Sequence, residues 1–195
     1  ARPLCHIPRI RRHRLLGLFI FAENQTMKAK TPSESRTTQT DLVLPNETNP
    51  LNNMFGGELL ARMDRVASIT ARRHSRRIVV TASVNHVAFN KAIPLGSVVT
   101  VEASISRAFK TSMEVVIDVW VEDRENGLKS KANDAIYTFV AVDETGMPVP
   151  IPQIKPETEK EIQRYDAALR RKQLSLVLAG KMEAKEATEL KALFE

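Results

Sequence analysis

Cysteine is almost missing from this sequence: Cys5 is the single thiol in 195 residues. That excludes a disulfide within the chain and a thiolate metal cluster. Histidine is scarce as well, and His6, His13, His74 and His86 fall at no spacing that would hold a metal. No apolar run approaches the ~20 residues that a spanning helix needs, so no membrane is implied. An excess of basic charge over the body of the chain is also lacking. The formal net charge is +6 and the pI is near 9.6, yet residues 1–30 hold seven Lys/Arg against one Glu. The rest has 22 of each sign. A nucleic-acid footprint over the fold is therefore not supported. What is present, 43% hydrophobic and 27% charged residues, describes an ordinary globular domain with extensions. Cytoplasmic location and metal-free chemistry are the expectations.

The basic leader reads "RIRRHRLLGLFIFAENQ". Basic residues followed by a short apolar run resemble a signal peptide, but no A-x-A-like cleavage site follows "LFIFA". The Arg-rich, acid-poor composition would also suit a transit peptide. Met27 opens "MKAKTPSESRTTQT", and the favoured expectation is that the protein starts there. The expected organisation is a basic leader and flexible lead-in over 1–37, a domain over 38–153, and a helical tail over 154–195.

Within the domain, "TDLVLP" (40–45) reads as a short strand stopped by Pro45. From Gly56 to Ser75, Leu59, Leu60, Met63, Val66, Ala67, Thr70 and Ala71 recur at helical spacing. Four runs rich in Val, Ile and Thr follow at 77–89, 97–109, 112–123 and 131–143, separated by Pro, Gly and Asn-Gly turn signals. A strand, a long helix and then an antiparallel meander, with no crossover units, predict an α+β fold with the helix across one sheet face. The stretch from Glu157 to Gly180 is expected to be helical, with a further short helix after it.

The chemistry centres on "NETNPLNNMFGGELLARMD". Gly56 and Gly57 stand at the start of the helix, where free backbone N–H groups and the helix dipole favour an oxyanion. Asp64 lies two turns further on and offers a general base or a nucleophile. Asn49 offers a group to orient water or to bind a carbonyl. Each has a plainer explanation alone: Gly-Gly as tight packing, Asp64 paired with Arg62 or Arg65, and Asn49 as a turn residue. The joint pattern favours the chemical reading. "RRHSRR" (72–77) suits a helix C-terminus, and an Arg cluster also suits phosphates. "FKTSM" (109–113) places donors at a turn. His74 and His86 read as structural, and Trp120 as core.

The loop "NPLNNMFGG", the helix "ELLARMDRVASITARRHS", "VVTASVNHVAFNKAIPLGSVV" and "PVPIPQIKPETEKE" together resemble the hotdog-fold acyl-CoA thioesterases, and within them the cytosolic acyl-CoA hydrolase branch, over about residues 38–170. "PLNN" departs from relatives that often carry a Gly in this loop. The resemblance implies an antiparallel sheet wrapped around a long central helix, here with a C-terminal helical extension. It implies hydrolysis of fatty acyl-CoA, with coenzyme A as part of substrate and product and no separate cofactor. It implies catalysis by Asn49 and Asp64 with Gly56 and Gly57, at the interface of a homodimer, three dimers forming a hexamer. The coenzyme A arm is expected on Lys110, Thr111 and Ser112, ranked above Arg76 and Arg77. Two other functions compete. A hotdog hydratase needs a His near the helix start, and none lies between 46 and 73. A non-enzymatic acyl-CoA-binding regulator needs a DNA-binding segment, which the neutral domain lacks.

Overall fold

The computed structural model describes residues 27–123 and 125–194. The leader lies outside the described residues. Five antiparallel strands form one sheet: β1 (Thr37–Leu42), β2 (Ile78–Phe89), β3 (Val98–Ala108), β4 (Ser112–Glu122) and β5 (Lys129–Val142), in the order β1-β3-β4-β5-β2. The long helix α1 (Gly56–Ser75) crosses one face, and α2 (Glu159–Leu178) lies on the other.

α1 forms because its apolar and small residues fall on one side. Leu59, Met63, Val66, Ala67, Thr70, Ala71 and His74 are all buried, and a fully buried Leu, Val or Met contributes about 1.5–3 kcal/mol. The small Ala67 and Ala71 let the helix sit close to β3, where the Thr70 hydroxyl reaches the Ala103 carbonyl at 3.5 Å. The helix stops at Arg76, which adopts the left-handed conformation (φ 55°) and donates its amide to the Arg72 carbonyl. Glycine is the usual residue at such a cap, so an arginine there is notable.

The meander holds for β3, β4 and β5, but β2 does not join β3. It pairs with β5 at the far edge, Ile78 opposite Val142 and Phe89 opposite Asn133. The connecting segment 90–97 is no tight turn: it passes beneath the start of α1, burying Ile93 and accepting the Met54 amide on the Ile93 carbonyl (2.7 Å). The chain thereby crosses from one sheet edge toward the other. β1 also begins earlier than the apolar pattern indicates, because Thr37–Gln39 pair with β3 despite being polar.

The lead-in from Met27 to Thr37, expected to be flexible, is tied down. Lys30 pairs backbone to backbone with Gln153 and Lys155 and sends Nζ to the carbonyls of Arg73 and His74 at the end of α1. The Thr31 amide is held by Glu34 Oε2 at 2.6 Å.

α2 opens with a capping box, in which the Thr158 hydroxyl accepts the Glu161 amide while Glu161 Oε2 accepts the Thr158 amide. Its arginines reach two carboxylates that β4 turns away from α1. Arg164 binds Asp118 at 2.6 Å and Arg171 holds Glu114 through two bonds of 3.0 and 2.7 Å. Burial pushes the Asp118 carboxyl up, but Arg164 and Lys131 more than offset this and hold it below the ordinary range. Both faces of β4 are thus covered. The expected short final helix shrinks to one turn, α3 (Thr188–Lys191), after a 3-10 turn at Ala184–Glu186.

His74 is structural, as the sequence suggests. It is fully buried, and its Nε2–H donates to the Pro152 carbonyl at 2.8 Å. Burial pushes its pKa below the ordinary value of 6.5, with the Pro152 bond opposing, so the folded state keeps the imidazole neutral. The unfolded chain then takes up the proton first as pH falls. Unfolding free energy should be flat above about pH 7 and decline below about 6.5, by at most ~1.4 kcal/mol per pH unit from this one group. His74→Gln, which preserves a donor to Pro152, should lose that slope in urea unfolding between pH 5 and 7. An unchanged slope in the variant would assign the acid sensitivity elsewhere.

Candidate active site

The Asn-rich loop is a closed structure. Thr48 and Met54 form a bridge, the Asn49 amide donates to the Asn53 carbonyl (2.8 Å) and the Asn52 amide returns to the Asn49 carbonyl (2.9 Å). Asn52 takes a positive φ of 55°, which asparagine tolerates better than most residues. The Asn49 side-chain oxygen accepts the amides of Leu51 and Asn53 at 2.9 and 3.2 Å. Its oxygen is therefore committed to the loop, and what remains for a ligand is its NH₂, a donor.

The loop is anchored to α1 by a pair that sequence reasoning missed. Buried Arg62 directs Nη2 to both oxygens of Glu47 (2.6 Å each) and to the Leu42 carbonyl (2.9 Å). The Arg62 guanidinium and the Leu44 amide hold the Glu47 carboxyl below its ordinary range. Arg62 thus serves the loop, not Asp64.

Gly56 and Gly57 begin α1 with no side-chain cap. Their amides precede the first intrahelical bonds, so they face outward as donors. A Cβ on Gly57 would fall 2.7 Å from the Phe55 ring, so the bare backbone leaves room for Phe55 to lie against it. Asn49, Gly56, Met54, Leu59, Phe89, Ile93 and Asn133 help line a cavity of about 350 Å³.

Asp64 does not line that cavity. Eight residues of helix separate it from Gly56, a rise of about 12 Å. It is half-buried and accepts a 2.8 Å hydrogen bond from the Thr81 hydroxyl on β2, an exposed residue on the open sheet edge. Thr81 was within the motif read from the sequence, but a separation of seventeen residues has no meaning in helix or strand periodicity. Tyr137 stands nearby. Burial first, and then the charge of Asp64, push its pKa up to about 12, so it stays a neutral phenol. Tyr137 thus backs Asp64 on the buried side, and the Thr81 hydroxyl sets the carboxylate at the β2 edge.

The residues expected to hold coenzyme A sit at the other end of α1. Lys110, Thr111 and Ser112 form the β3–β4 turn, closed by the Phe109 amide on the Ser112 carbonyl (2.7 Å). Arg76 and Arg77 are exposed where β2 begins. The two groups share one end of the sheet, with Val140–Val142 of β5 between them. They lie some 30 Å from Gly56 along the helix. One chain thus brings Asn49 together with Gly56 and Gly57, and brings neither Asp64 nor the basic groups to them. His86 faces Asp134 at 3.8 Å on the surface, and Trp120 is only partly buried. Among the described residues no three His, Cys, Asp or Glu gather as a metal site, and no helix is long and apolar enough to cross a membrane.

Residues 51–128 match the family model described as the thioesterase superfamily. An acyl-CoA thioester hydrolase of Bacillus subtilis is 40% identical over 147 residues, 75% of this chain and 86% of that one. Among solved structures, a hexameric acyl-CoA thioesterase superposes with a TM-score of 0.76 at 38% identity, covering 78% of this chain and 98% of the other. An acyl-CoA hydrolase of Staphylococcus aureus, solved with butyryl coenzyme A and coenzyme A, gives 0.73 at 37% identity, covering 84% and 99%. That enzyme has also been solved with an asparagine, an aspartate fifteen positions later and a threonine seventeen beyond it each replaced by alanine. Sequence, sheet topology and central helix agree, and the chain belongs to the acyl-CoA thioester hydrolases of the thioesterase superfamily, with the hotdog fold.

Proposed function

We propose that the chain hydrolyses acyl-CoA to the free acid and coenzyme A at a site shared between two copies of itself. The observation that carries this reading is the division of the chemistry. Asn49 and the Gly56 and Gly57 amides gather at one end of α1, while Asp64 and Thr81 face the open β2 edge. The S. aureus variants support the choice of residues, since Asn49, Asp64 and Thr81 are separated by the same fifteen and seventeen positions.

β2 is a long edge strand, exposed along most of its length and bearing Ile78, Val80, Val84 and Phe89 on the surface. Such edges are normally covered. Antiparallel pairing of two β2 strands about a two-fold axis would set the Phe89 end of one copy against the Ile78 end of the other. That carries the Asn49 loop and helix start toward the partner's Asp64, and toward the partner's basic end. A hexamer of three such dimers is the assembly we favour, as in the hexameric relative, and the cytoplasm the location.

In this site the thioester carbonyl accepts from the Asn49 NH₂ and the amides at the head of α1. Donors placed where the oxyanion develops are each worth about 10²–10³ in rate. Asp64, steered by Thr81 on one oxygen, uses the other to take a proton from water as the water attacks the carbonyl. The tetrahedral intermediate expels the thiolate of coenzyme A, which receives the proton. No metal or separate cofactor takes part.

Asp64→Asn retains an oxygen for Thr81, so the fold and CoA-ester binding should persist while hydrolysis falls by about 10²–10⁴. The sharing of the site is tested by mixing. Asn49→Ala and Asp64→Ala should each be nearly inactive alone. Unfolded and refolded together, half the dimers would carry one intact site of two, restoring about a quarter of the parental activity. No recovery after verified subunit exchange would place both residues within one chain.

Arg76 supplies a separate test of coenzyme A docking. Its left-handed backbone is the conformation glycine prefers, so Arg76→Gly should leave the melting temperature within a few degrees of the parent. Loss of uniform binding should raise KM for acyl-CoA with little change in kcat. Hydrolysis of a short thioester lacking the nucleotide should be unaffected. Unchanged KM for acyl-CoA would remove Arg76 from the docking surface.

A further inference from the structure

The side chains that the sheet turns toward α1 are almost all apolar. On β4 they run Met113, Val115, Ile117 and Val119, and on β5 Ala141, Phe139, Ala135 and the buried ring of Tyr137. Strand alternation makes the next inward position of β5 residue 133, and there the residue is asparagine. Asn133 stands opposite Phe89 on β2 and Val119 on β4, at the end of the sheet where α1 begins. It is 1% exposed, and its Oδ1 finds no hydrogen-bond partner among the described residues. An unpaired buried amide oxygen is unfavourable compared with an apolar residue of the same shape, so packing does not account for it. Asn133 also lines the cavity that Asn49 and Gly56 border, with the apolar Met54, Leu59, Phe89 and Ile93 and the polar Asn53 and Lys91.

We propose that Asn133 reads a hydroxyl on the acyl group, so that the site prefers short hydroxyacyl thioesters over unsubstituted ones of equal length. The inference rests on the acyl-CoA hydrolase reading. With the thioester at Gly56, the acyl chain continues into this cavity past Leu59 and Met54. The part of the cavity that one chain encloses, about 350 Å³, lies near the lower end for ligand pockets, and a short chain is the one that Asn133, bordering the same space as Gly56, would read. A hydroxyl both donates and accepts, so it can donate to Oδ1 or accept from the NH₂ whichever way the amide is turned. A keto oxygen would serve only the NH₂. A carboxylate on the acyl group would have to draw Lys91, which lines the same cavity, in from the surface and away from the Ser130 hydroxyl at 3.1 Å, so it is the less favoured substituent. Asn133 is thus a specificity-determining residue, and the chemistry remains with Asn49 and Asp64.

The test compares kcat/KM of the full chain for hexanoyl-CoA, 3-hydroxyhexanoyl-CoA and succinyl-CoA with that of Asn133→Leu, a near-isosteric change. The parent should favour the hydroxyacyl ester over the plain one by about tenfold or more, the worth of one well-placed hydrogen bond. Asn133→Leu should bring the ratio of the two kcat/KM values toward one, with a melting temperature equal to or above the parent's. If Asn133→Leu does not fold, Asn133→Ser, which keeps a shorter polar group, should show the same shift in part. The proposal is overturned if the ratio is the same in parent and variant, as it would be for a purely structural asparagine. It is also overturned if the plain or the succinyl ester is preferred by the parent. If the parent hydrolyses only longer-chain esters such as palmitoyl-CoA, this proposal is overturned and the hydrolase reading stands; if it hydrolyses no acyl-CoA at all, the hydrolase reading fails. Calorimetric binding of the same esters then decides this proposal separately, which stands only if the hydroxyacyl preference appears in the parent and disappears in the variant.

Discussion

The seating of α1 inside the curve of the sheet is the constraint from which the rest follows. All five strands contribute to the layer around it, and its buried stripe from Leu59 to His74 is the centre of the core. A helix held along its length has only its ends and one flank available for chemistry. The N-terminal end is left without a side-chain cap, and the flank toward β2 carries Asp64. The C-terminal end is claimed by structure, with Lys30 on its last carbonyls and His74 fixed to Pro152. Arg73 is likewise tied to the Arg36 carbonyl and the Thr37 hydroxyl, and Arg76 and Arg77 stand exposed beside it.

The same seating dictates how the loops run. Segment 90–97 must pass under the head of α1 to carry the chain from the β2 edge back to β3, and in passing it meets the Asn-rich loop at Ile93–Leu95. Arg62, projecting from α1, fixes that loop from the other side through Glu47 and Leu42. Three separate stretches of chain thus converge at one helix end. The cavity is the space they leave, which is why its lining draws on residues 49 to 133. Removing Arg62 or Glu47 would loosen the loop without touching the helix it serves.

Much of this was legible in the sequence, for physical reasons that also set the limits. Helical periodicity with two glycines at its start located α1, and turn signals located β3, β4 and β5 to within two residues. Alternation identifies a strand but not its neighbour, so the placement of β2 beside β5 could not be read. Polar Thr37–Gln39 gave no strand signal, because an edge pairing asks for backbone groups and little else. The ordering of the lead-in rests on Lys30 and on pairing with residues more than a hundred positions away. For the site, type and spacing identified Asn49, Gly56, Gly57 and Asp64 as candidates. The orientation of the Asn49 amide depends on how loop 48–54 closes, which side-chain identity does not encode. Asn133 did leave a trace: it falls in phase with Ala135, Tyr137 and Phe139, an amide in an inward row.

That trace belongs to a wider pattern. Several features of this chain oppose stability locally: a long edge strand left open, a helix start without a cap, an arginine in a left-handed turn, and a buried amide with an unpaired oxygen. Elsewhere the molecule obeys the ordinary rules closely, with a capping box on α2 and two carboxylates on the outer face of β4 each met by an arginine. Local departures of this kind tend to be retained where function depends on them. Not all of them gather in one place, since Arg62 Nη1, His74 Nδ1 and Trp120 Nε1 are also buried without a partner among the described residues, but two of them meet. The uncapped helix start and Asn133 border one cavity, and a two-fold pairing across the open edge would bring the partner's Asp64 and Arg76 toward it. The fold can carry these departures because α1 and the central strands hold a continuous core that none of them interrupts. Stability and the proposed chemistry thus fall to different parts of one helix, the buried stripe and the C-terminal end to packing, the uncapped start and the Asp64 flank to the proposed site.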